Sequence, residues 1–363
     1  MLLQEIFGIN GYMKSMADRY AEEGYVVLVP DLFWRMKPGV ELGYGEADFK
    51  EALGYNEKLD EENAVNDIAA IRALPEQAGK VGMIGYCLGG RLAMLAAART
   101  DVDCAVSYYG VGPDAYTSKI PAIHCPMICH FAENDAMTPT ASRKKIIAAL
   151  KQKPSIETLY QGCDHAFATP EREHFDKPAA MMAYSRTMAL LRKVLGPVYD
   201  LNQLWEMHCY YEFGTRDVNA VMPTMVAQPY VSHVPTMTGG VGHDQLKRFY
   251  KYHFVDSNPA DTRLIPVSRT IGADRVVDEF VFCATHDREI DWLLPGLKST
   301  GKYFEVPMLA VICFRGDKLY TSISIGTRRR CWCRSARSIR QACRSRAFRP
   351  RRKWSMKPCR QIR

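Results

Sequence analysis

The sequence predicts an α/β first half, built on a parallel sheet with helices on both faces, joined to an α+β second half. Three observations predict this. Strand-like and helix-like stretches alternate through the first 195 residues, which is the pattern of a parallel sheet with helical crossovers. Near "GPVYD" (196–200) the character changes: one helix comes first and runs of strands follow. At 363 residues, the chain also exceeds what one hydrophobic core usually holds.

The elements can be justified in order. "LLQEIF" and "YVVLVPD" read as strands around an amphipathic helix that sets Met13, Met16, Ala17 and Tyr20 on one face. Residues 36–60 are polar without strong periodicity, and 61–74 read as a helix. "VGMIGY" (81–86) is a short apolar strand, and Leu88 to Arg99 an alanine-rich helix. "CAVSYYG", "CPMICHFA" and "IETLY" are further strands, and 171–195 a long helix. After the boundary, 201–216 is helical and "HVPTMTGGVG" irregular. "DTRLIPVSRTIG", "RVVDEFVFCATHD" and "FEVPMLAVICFRGDKLY" then read as antiparallel strands. The expected domains are therefore 1–197 and 198–322, with a separate tail at 323–363 and no internal repeat.

The bulk composition is that of a soluble globular protein, 47% hydrophobic and 24% charged. No apolar run approaches the ~18 residues of a membrane span, and no leader pattern precedes "LLQEIFG". The expectation is a cytoplasmic protein with no membrane partner. The net charge of +8 misleads: residues 327–363 carry +15 with no acid, while residues 1–326 carry −7. No nucleic-acid partner is expected, because the basic argument rests on that tail alone. Its mixture of Arg, Cys, Ser and Trp resembles GC-rich DNA read out of frame, which suggests a frameshift near residues 320–326. The first strand begins almost at Met1, so the sheet is expected to be truncated at its N-terminus. Four of the twelve cysteines lie in the tail, and none of the rest has C-x-x-C spacing, so no metal is expected.

One cysteine sits in a special place. "GYCLG" (85–89) is G-x-C-x-G at a strand-to-helix turn, the nucleophile-elbow pattern with Cys87 in the serine position. A helix N-terminus favours the thiolate, the nucleophilic form, and a tight turn pushes the side chain clear of the sheet. Taken alone, Cys87 reads equally well as a small buried residue. Two loops at strand ends favour chemistry: "ENDAMTP" supplies Asp135 and "GCDHAFATP" supplies His165. The order Cys87, Asp135, His165 is nucleophile, acid, histidine, as in α/β-hydrolases. His165 would take the thiol proton and Asp135 would fix its tautomer. His130 and Asp164 are the competing neighbours.

With "QEIFGIN", "PDLFWRMKPG", "GYCLGG", "YYGVG", "ENDAMTP" and "HAFA", residues 1 to about 195 resemble the dienelactone hydrolase (carboxymethylenebutenolidase) family. The resemblance implies a doubly wound α/β-hydrolase sheet and a cofactor-independent hydrolase that opens an enol-lactone, an activity belonging to aromatic degradation. It implies that Cys87 attacks the lactone carbonyl and that His165 and Asp135 complete a triad. Glu5 would meet the resting thiol, the amides of Leu88 and Ile6 would form the oxyanion hole, and Arg35 would bind the substrate carboxylate. The family's better-known members carry a second arginine four residues after the histidine; here that position is Thr169.

Residues from about 200 to 320 are similar to SnoaL-like domains, on "LWEMHCYYEFGTRD", "YVSHVPTMTGGVG" and "GADRVVDEFVFCATHDREIDWLLPG". This likeness implies a cone-shaped α+β domain with an internal pocket, and a homodimer through it. His233, His286, Asp287 and Asp291 are its candidate pocket groups. A frameshift would remove the last strand of the cone and expose a sheet edge. The rival readings are a broad esterase or thioesterase of the same fold, which Thr169 favours, a non-catalytic small-molecule-binding or dimerisation protein, and a truncated chain that folds poorly.

Overall fold

The computed structural model describes residues 1–73, 79–151 and 153–326. The basic tail beyond residue 326, with its four cysteines, lies outside these residues, whereas the positions 320–326 expected to hold a frameshift fall within them. Two compact units are present, the first centred on Met1–Leu201 and the second on Asn202–Ile271, Val276–Cys313 and the strand that starts at Lys318.

In chain order the first unit holds β1 (Leu2–Leu3), α1 (Gly11–Glu22), α2 (Glu46–Lys58), α3 (Glu61–Ala73), β2 (Gly82–Tyr86) and α4 (Leu88–Ala97). Next come β3 (Cys104–Tyr108), α5 (Pro113–Tyr116), β4 (Met127–Ala132), α6 (Thr140–Leu150), β5 (Ser155–Tyr160) and α7 (Lys177–Val194). The sheet order is β1-β2-β3-β4-β5, parallel throughout. Strand side chains alternate between faces, and each face has its own core. Met83, Ala105 and Met127 join Ile68, Leu92 and Ile146 of α3, α4 and α6. Ile84, Val106 and Ile128 join Met13, Met16, Tyr184 and Met188 of α1 and α7. The sheet is thus covered on both sides, and its strands are buried at nearly every position except in β5, at the edge.

Three expectations need correction here. "YVVLVPD" does not form a strand: Val26 is 90% exposed, and the segment meets β1 through the Leu2 amide, which donates to Leu28 O (2.8 Å). β1 is two residues long and offers no ladder on which a longer partner could register. The polar segment 36–60 contains α2, whose weak amphipathicity hid it; Ala52 alone is fully buried along it. The long helix begins at Lys177, because the Asp176 carboxylate caps it by accepting from Ala179 N (2.8 Å).

The second unit runs α8 (Leu201–Cys209), a π-helical turn (Tyr210–Gly214), α9 (Val218–Val221), β6 (Met225–His233), β7 (Thr238–Val241), α10 (Gly242–Phe249) and a second π-helical turn (Tyr250–Val255). The strands β8 (Arg263–Ile271), β9 (Arg275–Thr285), β10 (Tyr303–Arg315) and β11 (Lys318–Gly326) follow. The sheet order is β7-β6-β11-β10-β9-β8, with β6–β7 and β8–β9 antiparallel but β6–β11 parallel. "HVPTMTGGVG" is therefore no irregular loop but the turn and second strand of the β6–β7 hairpin, with Val231 opposite Gly240. β11 reaches Gly326 and lies between β6 and β10, so the last strand is in place and the edge expected from its loss is absent.

Candidate active site

The turn between β2 and α4 builds the site. Cys87 sits at φ 54°, ψ −111°, a conformation that L-residues rarely adopt, held by its amide on Tyr108 O (3.0 Å). Close backbone packing dictates the flanking glycines. A Cβ on Gly85 would lie 1.9 Å from Gly89 O, and one on Gly89 2.3 Å from Leu3 O. The Gly89 amide donates to Gln4 O (2.9 Å), which draws the 4–6 segment, with Glu5 and Ile6, up to the elbow beside Leu88.

Three of the expected residues meet there. His165 donates from Nδ1 to Asp135 Oδ2 (2.9 Å) and hydrogen-bonds with Cys87 on its other side. Asp135 is 3% exposed, and its Oδ1 accepts from Met137 N (2.8 Å), so the carboxylate cannot swing away. Burial pushes the imidazole down, but the charge of Cys87 and the hydrogen bonds of Asp135 and Cys87 outweigh it and hold His165 up at about 10. The competitors fall out. His130 is fully buried, bonded to Tyr160 Oη and Thr187 Oγ1 (3.0 Å each), and pushed down to about 3 by burial and by Arg186. Asp164 is half-exposed and faces His174 at 3.7 Å.

Glu5 joins the same network. It is 2% exposed and accepts from Tyr44 Oη (3.3 Å) and Thr169 Oγ1 (3.4 Å). Burial raises its carboxyl above the ordinary value, against the opposing charges of His165 and Arg172. The Thr169 hydroxyl also meets Tyr109 Oη (3.2 Å), and the Tyr109 ring stands edge-on to His165 with centroids 5.1 Å apart.

Arg35 stands apart. Its guanidinium lies on the Trp34 ring and grips Asp67 with Nε (3.1 Å) and Nη2 (2.6 Å), at an exposed place. Sequence reasoning missed a different cation. Arg172 is half-buried, 5.3 Å over the rings of both Phe7 and Tyr44, and its charge acts on Glu5. The turn that closes with Arg172 N on Thr169 O (3.0 Å) brings it there. The available signal was "TPER", a cation three residues after the threonine that replaces the expected arginine.

A parallel sheet with a cysteine at a strained elbow, backed by His165 and Asp135, defines a hydrolase-type site. Residues 1–195 match the dienelactone hydrolase family as a whole, and the chain belongs to that family. Among its relatives is the carboxymethylenebutenolidase of Pseudomonas putida, 36% identical over 53% of this chain and 84% of that protein. Another is carboxymethylenebutenolidase 1 of Cupriavidus pinatubonensis, 33% identical over 54% and 86%. The protein is a hydrolase of the carboxymethylenebutenolidase type. The remainder of the chain is similar to a ketosteroid-isomerase-like protein from Catenulispora acidiphila (16% identity, 34% of this chain and 83% of that one, TM-score 0.28). Among the described residues no helix is long and apolar enough to cross a membrane.

Proposed function

We propose that the chain opens an enol-lactone through a Cys87 acyl-enzyme. Cys87 Sγ attacks the lactone carbonyl, the C–O bond of the ring breaks, and the enolate leaves with a proton from His165. Water, deprotonated by the same imidazole, then hydrolyses the thioester and frees the carboxylate product. Asp135 keeps His165 in the tautomer and orientation that both steps need. The amides of Leu88 and Ile6 hold the developing oxyanion, where losing one donor costs about 3 kcal/mol. A thiolate is itself a good leaving group, so the site favours substrates whose own product leaves more readily, such as enols, over amides. No cofactor takes part in these steps. Glu5, its carboxyl raised by burial, sits where it can exchange a proton with the resting site.

The observation that carries this reading is the continuous chain from Cys87, held at φ 54°, through His165 to Asp135. For a substrate carboxylate, Arg172 is better placed than Arg35, which would first have to release Asp67. The test is hydrolysis of dienelactone beside p-nitrophenyl acetate, with Cys87→Ala as control. Preference for the dienelactone, abolished in the variant, supports the proposal. Turnover of the simple ester alone supports a second reading, a broader esterase, which Thr169 at the family's arginine position favours. Silence on both substrates sinks both.

A further inference from the structure

The hydroxyl of Thr169 stands between two groups of the elbow. It is fully buried and lies 3.4 Å from Glu5 Oε1 and 3.2 Å from Tyr109 Oη. The turn after His165 places it there: Ala166 adopts φ 64°, and the Thr169 amide donates to Ala166 O (3.0 Å). Tyr109 is held as firmly. It follows β3 at φ 39°, a region that bulky residues rarely enter, and its amide donates to His130 O (2.8 Å). Strained backbone thus fixes both partners of the hydroxyl pair.

The other carboxyl oxygen of Glu5 has its donor dictated by its surroundings. Met13 N donates to Asn10 Oδ1 (3.2 Å), so the Asn10 amide nitrogen faces Tyr44 and donates to its Oη (3.1 Å). Tyr44 therefore gives its own proton to Glu5 Oε2 (3.3 Å). Oε2 accepts in either state, which directs the proton of a neutral Glu5 to Oε1, facing Thr169. A hydroxyl serves that oxygen both ways. It donates to the ionised carboxylate while accepting from Tyr109, and it accepts from the protonated carboxyl while donating to Tyr109. A guanidinium in the same place could only donate, and a methyl could do neither.

We propose that Thr169 is a positioning residue of the elbow: its hydroxyl, oriented by Tyr109, keeps Glu5 fixed in both protonation states and so couples its ionisation to the reactivity of Cys87. This role rests on Cys87 being the nucleophile. The charged and titratable groups around Glu5 are His165, Arg172 and the phenols of Tyr12, Tyr44 and Tyr109. Burial holds all three phenols above their ordinary value, so they stay uncharged near neutrality. Glu5 therefore answers to His165 and Arg172, and His165 in turn to Cys87. An ionised Glu5 favours the imidazolium, and the imidazolium favours the thiolate.

The role is read on Cys87 itself. Alkylation by iodoacetamide is followed against pH on the full chain, with the Cys87 peptide quantified by mass. No lactone is needed, so failed lactone hydrolysis leaves this measurement intact, and failure here leaves the acyl-enzyme intact. In the wild type the rate should rise with pH through an acid limb set by Glu5. Thr169→Val removes a donor, which costs the ionised carboxylate most. The limb should then move up by about one pH unit, about tenfold in rate below it. Thr169→Ser should restore the wild-type limb, and Glu5→Gln should abolish the difference between threonine and valine. An unmoved limb in a folded Thr169→Val variant overturns the proposal. So does the same shift in the Glu5→Gln background, or a serine variant that behaves like valine. Should Thr169→Val fail to fold, Thr169→Ala lacks the hydroxyl and adds no atoms, and an unmoved limb there overturns the proposal equally.

Discussion

The elbow of the first unit and the interior of the second both bury a histidine beside an acid, and they do so to different ends. His165 is held up at about 10 by Cys87 and Asp135, stays 18% exposed at its side chain, and sits next to a strained cysteine. His208 is fully buried against Glu212 and bonded on both nitrogens. One pair is open towards a nucleophile; the other is closed within an aromatic interior. The difference teaches that a His–acid pair becomes a catalytic candidate through what stands on the histidine's other side. At the elbow that is a thiol, while in the second unit it is Thr224.

Several measurements would break or sharpen this contrast. The largest effect is expected from Cys87→Ala, which should lower kcat for dienelactone by about 10⁴-fold or more while leaving Tm nearly unchanged. Retained turnover would remove the cysteine from the mechanism. Asp135→Asn should cost about 10³- to 10⁴-fold in kcat, because His165 loses its tautomer. In the second unit the loss should appear in stability instead. His208→Ala strands Glu212 in the interior and should destabilise by about 3–5 kcal/mol in urea unfolding, with kcat for dienelactone unchanged. A parallel loss of kcat would show that the two pairs are not independent. Arg172→Gln should raise KM for an anionic lactone by about tenfold and leave p-nitrophenyl acetate untouched, about 1.4 kcal/mol confined to the charged substrate. Equal effects on both substrates would assign Arg172 a structural role.

The smallest and most diagnostic effect concerns pH. His165 is raised from about 6.5 to about 10 on folding, so its protonation favours the folded state. That stability is fully present below about pH 6.5, declines above it, and is gone once the pH passes about 10. The stability gap between wild type and His165→Gln should therefore be widest in mild acid and close towards pH 10. A gap that widens with rising pH would contradict the charge arrangement at the elbow. No such dependence is expected from His233, which is already neutral across that range.

Much of the first unit was legible because its signals are local. The alternation of apolar strands and helices, the G-x-C-x-G turn, and the loops holding Asp135 and His165 all lie in contiguous stretches of chain. Gly85 was readable for the same reason, since its close approach is to Gly89 in the turn itself, whereas Gly89 is required by its approach to Leu3 O of β1. What failed to read depended on partners elsewhere. "YVVLVPD" has the composition of a strand, but a strand exists only where another can pair with it along its length.

By itself, then, the sequence determined the α/β first half, the run of strands from β2 to β5, and the cysteine–acid–histidine series, because these follow from short-range periodicity and turn chemistry. The tertiary structure alone decided which cation stands beside the elbow's Glu5. Arg35 looked suited to a carboxylate until Asp67, 32 residues away, occupied it. Arg172, which the sequence did not single out, lies over the rings of Phe7 and Tyr44, and its charge acts on Glu5. It also decided that His233, Glu212 and Tyr250 face one cavity, which no spacing announces. Charge pairing and cavity lining are relations between distant residues, and only the folded chain fixes distances.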